Sequence, residues 1–327
     1  MAKQLLGKEV TAALNEKIKA NVAELEAKGV KPTLGIIRVG EREDDLSYER
    51  GATKRCETLG VAYEKFLLPA DVTQEELMAT IDKVNKDDSI HGVLIFRPLP
   101  KHLDEAAVIK ALSPEKDVDG ITDGSMVGVF AGTKQGFPPC TPQACMEILD
   151  HYGIDCTGKK AVVVGRSLVV GKPAAMMLLK KNATVTICHT RTKDMPSVVK
   201  EADIVIVAAG RAGVVDDTYL RAGQTVIDVG INVNEEGKLC GDVAYAKAEP
   251  IVEAITPVPR RCRIRYHICF GRPCGRGCHE KKQLYHEAED KNVNRKKALC
   301  VRKKGGGAFF CMRGKCSFGD RKRGPAS

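Results

Sequence analysis

Two apolar rhythms alternate along the first 259 residues of this chain. In residues 8–28, Val10, Leu14, Ile18, Val22 and Leu25 fall three or four positions apart, which predicts a helix stopped by Gly29. Residues 34–39 (LGIIRV) are a short apolar run ended by Gly40, the pattern of a buried strand. The alternation continues with helix 46–59 stopped by Gly60, strand 61–68, helix 73–84, strand 92–96 and helix 106–112. Thr73-Gln-Glu-Glu76 sets a hydroxyl and a carboxylate three apart, which is a capping box. The prolines of Arg97-Pro-Leu-Pro100 end the preceding strand.

A second series follows Pro138-Pro-Cys-Thr-Pro142. Residues 141–151 read as a connecting helix. Strand 160–164, helix 172–180, strand 184–188, helix 195–201 and strands 204–208 and 225–229 come after it. Strands alternating with helices predict an α/β protein with parallel sheets. The break near 140–155 predicts two domains, 1–145 and 146–259. In such sheets the ligand crevice lies beyond the carboxyl ends of the strands. That rule singles out residues 40–48, 97–100 and 116–120.

The most informative stretch is residues 161–173, AVVVGRSLVVGKP. A β-branched run leads into Gly165, and Gly171 and Pro173 open an apolar helix. A strand, a glycine turn and a helix N-terminus make a phosphate site, because the first helical N–H groups lack intrahelical partners and the dipole is positive there. Arg166 adds a charge and Ser167 a hydroxyl. After the next strand comes His189-Thr-Arg-Thr192. In a dinucleotide fold this position meets the adenosine ribose. Thr190 and Arg191, with Arg166, favour the 2′-phosphate of NADP over the free hydroxyl of NAD; a solvated polar turn is the other reading.

Asp44, Asp45, Ser47, Tyr48 and Lys54 gather where a strand gives way to a helix. Tyr48 offers a stacking ring and a hydroxyl, and Lys54 a proton-transfer group if burial lowers its pKa. Six helical positions separate their directions by roughly 120°, so they do not share a face. A surface helix with scattered charge is the alternative. Lys116-Asp-Val-Asp-Gly120 carries two carboxylates, one of which can meet ligand while the other is structural. A metal site is a further alternative, without an evident third ligand.

Composition changes the picture at one place. Residues 260–327 hold 20 Lys or Arg against 5 Asp or Glu, a net of +15, whereas residues 1–259 have a net of −5. Seven of the 13 Cys also lie after 259. The 43% hydrophobic content supports a real core, packed by aliphatic side chains because Trp is absent. No run of 18 apolar residues appears and the chain starts on a polar, Lys-bearing segment, so the expectation is a soluble, cytoplasmic protein with free thiols and no membrane partner.

Together these residues resemble the bifunctional methylenetetrahydrofolate dehydrogenase/methenyltetrahydrofolate cyclohydrolase family from about Leu5 to Pro259. The landmarks are Ser47-Tyr48, Pro98-Leu-Pro100, Lys116-Asp-Val-Asp-Gly120, Pro139-Cys-Thr-Pro142, Val164-Gly-Arg-Ser-Leu-Val-Val-Gly-Lys-Pro173, Val226-Ile-Asp-Val-Gly-Ile231 and Ile255-Thr-Pro-Val-Pro259. The resemblance implies a homodimer of two α/β domains, the first binding folate, the second Rossmann-like, with a cleft between them. It implies oxidation of 5,10-methylenetetrahydrofolate with NADP (NAD being the other nicotinamide candidate), followed in most members by hydrolysis to 10-formyltetrahydrofolate. By resemblance Gly165, Arg166, Ser167, Gly171, Thr190, Arg191 and Ile231 line the cofactor site, and Tyr48, Pro98, Leu99, Asp119 and Pro257 the folate site. Tyr48, Lys54 and Asp119 are the catalytic candidates.

Two departures stand out. The family's catalytic Lys lies four residues after the Tyr, where this chain has Ala52; the nearest candidate is Lys54. The strand that commonly ends in Gln reads Phe96-Arg97 here. Dehydrogenation is expected to survive these changes better than cyclohydrolysis, which is expected to be weak unless Lys54 swings in.

After Pro259 the family pattern of Gly-Gly-Val-Gly and an apolar helix is missing. The tail allows three readings: a zinc set of Cys269, Cys274, Cys278 and His279; non-specific binding of nucleic acid by the basic excess; or a shifted reading frame. Legal codons for Arg260 onward, less one nucleotide, translate as Gly-Gly-Val-Gly-Ser-Val-Thr-Thr-Ser-Val-Leu-Ala, which restores the motif and starts an apolar helix. The frame reading fits best, with the tail expected to be disordered. No specific nucleic-acid partner is expected. The competing view of the whole chain is an inactive or unstable copy whose basic tail binds nucleic acid or metal non-specifically.

Overall fold

The computed structural model describes residues 1–234 and 236–257. The readings of the tail beyond Pro259, including the zinc set, the nucleic-acid contacts and the shifted frame, lie outside the described residues. The chain begins with β1 (Lys3–Gln4) and α1 (Gly7–Ala27), then β2 (Thr33–Val39), α2 (Glu43–Leu59), β3 (Ala62–Leu68), α3 (Gln74–Lys86) and β4 (Gly92–Ile95). Three helices follow, α4 (Glu105–Ala111), α5 (Asp123–Ala131) and α6 (Cys140–His151). The second half runs β5 (Lys160–Val164), α7 (Gly171–Lys180), β6 (Thr184–Cys188), α8 (Met195–Lys200), β7 (Ile204–Val207) and β8 (Thr225–Asp228). It closes with β9 (Asn232–Val233), β10 (Leu239–Cys240), α9 (Tyr245–Ala248) and β11 (Ala254–Ile255).

These elements make a two-domain α/β fold. The first sheet has the parallel order β3-β2-β4 and the second the parallel order β1-β11-β8-β7-β5-β6. Central strands are buried because helices cover both faces: β7 and β8 are buried at every residue. Edge strand β6 alternates instead, as one-sided burial requires, and no residue of edge strand β3 is fully buried. Helix α6 joins the core of the second sheet through Ala144, Cys145, Met146, Ile148 and Leu149.

Two features escape the sequence pattern. Residues Lys3–Gln4 extend the second sheet by pairing with β11, so the chain's first strand lies in the distal sheet. Helix α5 forms despite Gly124 and Gly128, each a poor helix former. A Cβ at Gly128 would overlap the carbonyl oxygen of Gln135, so tertiary packing of the 133–137 segment selects glycine there.

Candidate dinucleotide and substrate site

At the carboxyl edge of the second sheet, Val164 pairs with Cys188 on one side and Val207 on the other. The Gly165 N–H donates to the Cys188 carbonyl at 2.9 Å, and the Ala208 N–H to the Val164 carbonyl at 2.8 Å. Gly165 has φ +130°, and a Cβ on it would run into the Ala208 carbonyl. Only glycine lets this turn lie flat on the strand end. The register sets Arg166 and Ser167 beside the exposed Thr190 and Arg191. His189 shapes that second loop: its ring Nδ1 accepts the Arg191 N–H at 3.1 Å, and its own N–H reaches the Thr192 hydroxyl at 2.9 Å.

The expectation of unpaired N–H groups at the start of α7 is corrected. The Ser167 hydroxyl oxygen accepts from Val170 N–H at 3.1 Å and Gly171 N–H at 3.3 Å, and the Ser167 carbonyl from Lys172 N–H at 3.0 Å. Pro173 has no N–H, and Ala174 is bonded to the Val170 carbonyl. A short turn before the helix has thus taken its free donors. What this edge still offers an anion is the side chains of Arg166, Thr190 and Arg191 and the proton of Ser167, whose oxygen is the part engaged. Arg211, exposed in the turn after β7, adds a further cation at this edge that sequence reasoning passed over.

The cofactor candidate Ile231, 56% exposed, follows β8 at the same edge. Pro257 is brought there too: it follows β11, which pairs with β8, and its neighbour Thr256 accepts the Asp228 N–H on its hydroxyl at 2.8 Å. Among the described residues, then, Gly165, Arg166, Ser167, Gly171, Thr190, Arg191, Ile231 and Pro257 belong to one sheet edge. A cradle built around a glycine, with cations and hydroxyls on its rim, fits a nicotinamide dinucleotide.

The other candidates collect at the carboxyl edge of the first sheet. Helix α2 buries the stripe Asp45, Glu49, Ala52, Cys56 and Leu59. Asp45 grips Arg42 through two bonds of 2.9 Å, so this carboxylate is structural. Buried Glu49 takes the Arg38 guanidinium at 2.7 Å and the Lys65 ammonium at 2.8 Å. Burial alone would raise its pKa, but these two cations hold the carboxyl below its usual value. Tyr48, half-buried at the rim of the stripe, meets the Phe96 ring edge-on with centroids 5.4 Å apart. Ala52, one turn on, is 1% exposed. Lys54 is exposed, on the far side of the helix from that stripe. The structure does not bring Lys54 to Tyr48.

The two carboxylates of the 116–120 loop have different surroundings. Asp117 is fully buried and accepts from Ile121 N–H at 3.0 Å, Thr122 N–H at 2.7 Å and the Ser125 hydroxyl at 2.7 Å, anchoring the start of α5. Asp119 is half-buried. Its loop is pinned where Gly120 packs on the backbone of Pro138 and Pro139, and where the Cys140 thiol lies 3.5 Å from the Val118 carbonyl. Around the cis bond Arg97–Pro98, Glu105 accepts the Leu99 N–H at 2.9 Å and approaches the Arg97 guanidinium at 3.4 Å. Pro98 is exposed, while Leu99 packs into the apolar core of this domain.

A doubly covered parallel sheet, a glycine turn at its carboxyl edge and a rim of arginines and hydroxyls define a nicotinamide-dinucleotide-binding α/β protein. Residues 5–119 match the family model of the tetrahydrofolate dehydrogenase/cyclohydrolase catalytic domain, and residues 139–262 that of its NAD(P)-binding domain. The chain belongs to the tetrahydrofolate dehydrogenase/cyclohydrolase family. It is 55% identical over 261 residues to the bifunctional protein FolD of Carboxydothermus hydrogenoformans, covering 79% of this chain and 91% of that protein. The corresponding protein of Clostridioides difficile is 51% identical over 253 residues, 77% of this chain and 88% of its own length. Among solved structures, the FolD methylenetetrahydrofolate dehydrogenase/cyclohydrolase of Campylobacter jejuni superposes with a TM-score of 0.78 at 36% identity, over 83% of this chain and 96% of that one. The enzyme of Trypanosoma brucei, solved with NADP and an inhibitor, gives 0.74 at 33% identity over 83% and 95%.

Proposed function

We infer that this protein oxidises 5,10-methylenetetrahydrofolate to 5,10-methenyltetrahydrofolate in one-carbon metabolism, with NADP as hydride acceptor. The observation that carries the reading is the Gly165–Ser167 turn, held against the strand ends beside Thr190 and Arg191, in a chain of this family. A bound nicotinamide would supply the acceptor for the hydride that leaves the folate's methylene carbon. The chain's task is to hold two rings at contact distance, which uses binding energy for orientation. Arg166, Thr190 and Arg191 would hold the 2′-phosphate. Tyr48 and Pro98 would meet the folate, with Asp119 accepting from the pterin's polar edge. Residues 1–145 would serve the folate and residues 146–259 the dinucleotide, with β1 lent to the second sheet. The family resemblance supports a homodimer acting in the cytoplasm; no described helix is long and apolar enough to cross a membrane.

Hydrolysis of the methenyl product needs a group that manages protons around an attacking water. The wall beside Tyr48 offers a methyl at Ala52 and a phenyl ring at Phe96. We propose that cyclohydrolysis is weak for this reason. The deciding assay follows NADPH and the methenyl chromophore with the full chain and methylenetetrahydrofolate. Production of both with slow loss of the chromophore supports the reading; no NADP reduction overturns it. A Lys54→Ala protein that hydrolyses the product as the parent does removes Lys54 from the reaction.

A further inference from the structure

Two buried carboxylates at the dinucleotide edge have no part in the reaction described above. Asp242, just after β10, is fully buried. Its carboxylate accepts the N–H groups of Ala209 at 2.6 Å and Gly210 at 2.9 Å, and the side-chain amide of Asn232 at 2.8 Å. Asp228, at the end of β8, accepts the N–H groups of Gly230 at 2.9 Å, Asp242 at 3.0 Å and Val243 at 3.1 Å. The packing is close enough that a Cβ at Gly230 would overlap the Asp242 carboxyl, and one at Gly241 the Asp228 carboxyl. Burying two carboxylates side by side is costly, and apolar side chains would fill the space without that cost.

What the bonds fix suggests why they are kept. None of the three Asp242 partners belongs to the interior of a strand of the large sheet. Ala209 and Gly210 open the turn after β7, next to the Ala208 carbonyl on which Gly165 rests. Asn232 follows Ile231 directly. One carboxylate thus ties together the floor under the glycine turn and the segment carrying Ile231.

We propose that Asp242 is a positioning residue for the dinucleotide: it sets the 208–210 turn and the 230–232 segment as a single rigid surface for the nicotinamide half of the cofactor, and Asp228 in turn holds Asp242 in place. The proposal rests on the dinucleotide reading of this edge.

The test is NADPH binding to the full chain, by fluorescence titration, with steady-state KM values for both substrates. Asp242→Asn removes the charge, and its single oxygen can keep the Ala209 and Gly210 N–H groups only if the Asn232 amide turns over to accept from the new NH2. The expected result is a folded protein with a Kd for NADPH raised about 10-fold or more, the range set by losing a charge-assisted bond. KM for methylenetetrahydrofolate at saturating NADP should change less than about 2-fold, because the first sheet is untouched. Asn232→Ala removes one tie from a half-exposed position and should raise the NADPH Kd by about 3-fold in a protein that still folds, with a modestly lower melting midpoint. NADPH affinity equal to the parent's in folded Asp242→Asn overturns the proposal, as does an equal weakening toward both substrates. If Asp242→Asn fails to fold, an unchanged Kd in Asn232→Ala overturns it. A parent that binds no NADPH brings down the dinucleotide reading and this inference with it.

Discussion

Position 52 carries a methyl group on the buried stripe of α2, one turn beyond Tyr48, where the resemblance leads to an ammonium group. Phe96 closes the same wall against the tyrosine ring. Both changes remove polar groups, an ammonium and a carboxamide, and are expected to spare hydride transfer, which needs placement. The double variant Ala52→Lys, Phe96→Gln is therefore expected to gain hydrolysis of the methenyl product, read as faster decay of its absorbance, at about 1–3 kcal/mol of stability from overpacking. Lys54 was legible in the sequence as a candidate only because it was the nearest lysine; helix geometry turns it outward. Asp228 was quoted within a motif but given no role, since nothing in a single sequence distinguishes a buried aspartate from a surface one. Burial pushes its carboxyl up to about 6, with Asp242 adding to the rise and three backbone N–H bonds opposing it. A carboxyl with a raised folded-state pKa contributes stability that is present below its unfolded value near 3.8 and lost as pH rises through about 6. The stability of the parent relative to Asp228→Asn should therefore fall between about pH 4 and 6 and level off above, as urea melts across that range would show.

Among the elements, α3 was legible down to its cap. Thr73 Oγ accepts the Glu76 N–H at 3.2 Å and the Glu76 carboxylate accepts the Thr73 N–H at 3.0 Å, the reciprocal pair read from the four residues. Thr73→Ala should cost about 1 kcal/mol, visible as a lower Tm. At α7 the same reasoning fell short. Strand, glycine and helix were all placed, yet the free N–H groups expected there are bonded to Ser167, because a hydroxyl four residues before a helix can cap it as well as greet a ligand. Helix α5 went unseen for the opposite reason: its glycines argue against a helix locally, and the contact that requires Gly128 comes from residue 135.

At the scale of the whole molecule, β1 is the feature with the largest consequence. Its two residues pair with β11, and Leu5, 1% exposed, enters the core shared by α6, α7 and the second sheet. Deleting residues 1–5 should lower stability by about 2–4 kcal/mol, chiefly from the lost leucine, and denaturant melts of the truncated chain would check it. The net charge of −5 over residues 1–259 against +15 beyond makes the tail the part of the chain whose replacement is most informative. A version carrying Gly-Gly-Val-Gly and an apolar segment after Pro259, assayed beside the chain as written, reports whether that motif adds to dehydrogenation.

The sequence by itself determined the alternation of strands and helices, the parallel class of the sheets, the glycine turn after β5 and the family. Each of these follows from local order: apolar period, breaker residues, motif spacing. Tertiary structure decided what local order cannot carry. It sent β1 to the distal sheet, turned Lys54 to solvent, divided the two carboxylates of the 116–120 loop into a buried anchor and a half-buried candidate, and set Asp228 beside Asp242. Partners in these contacts lie from a few to some 250 residues apart, and burial, which fixes whether a charged group is a strut or a reagent, exists only once the chain has closed on itself.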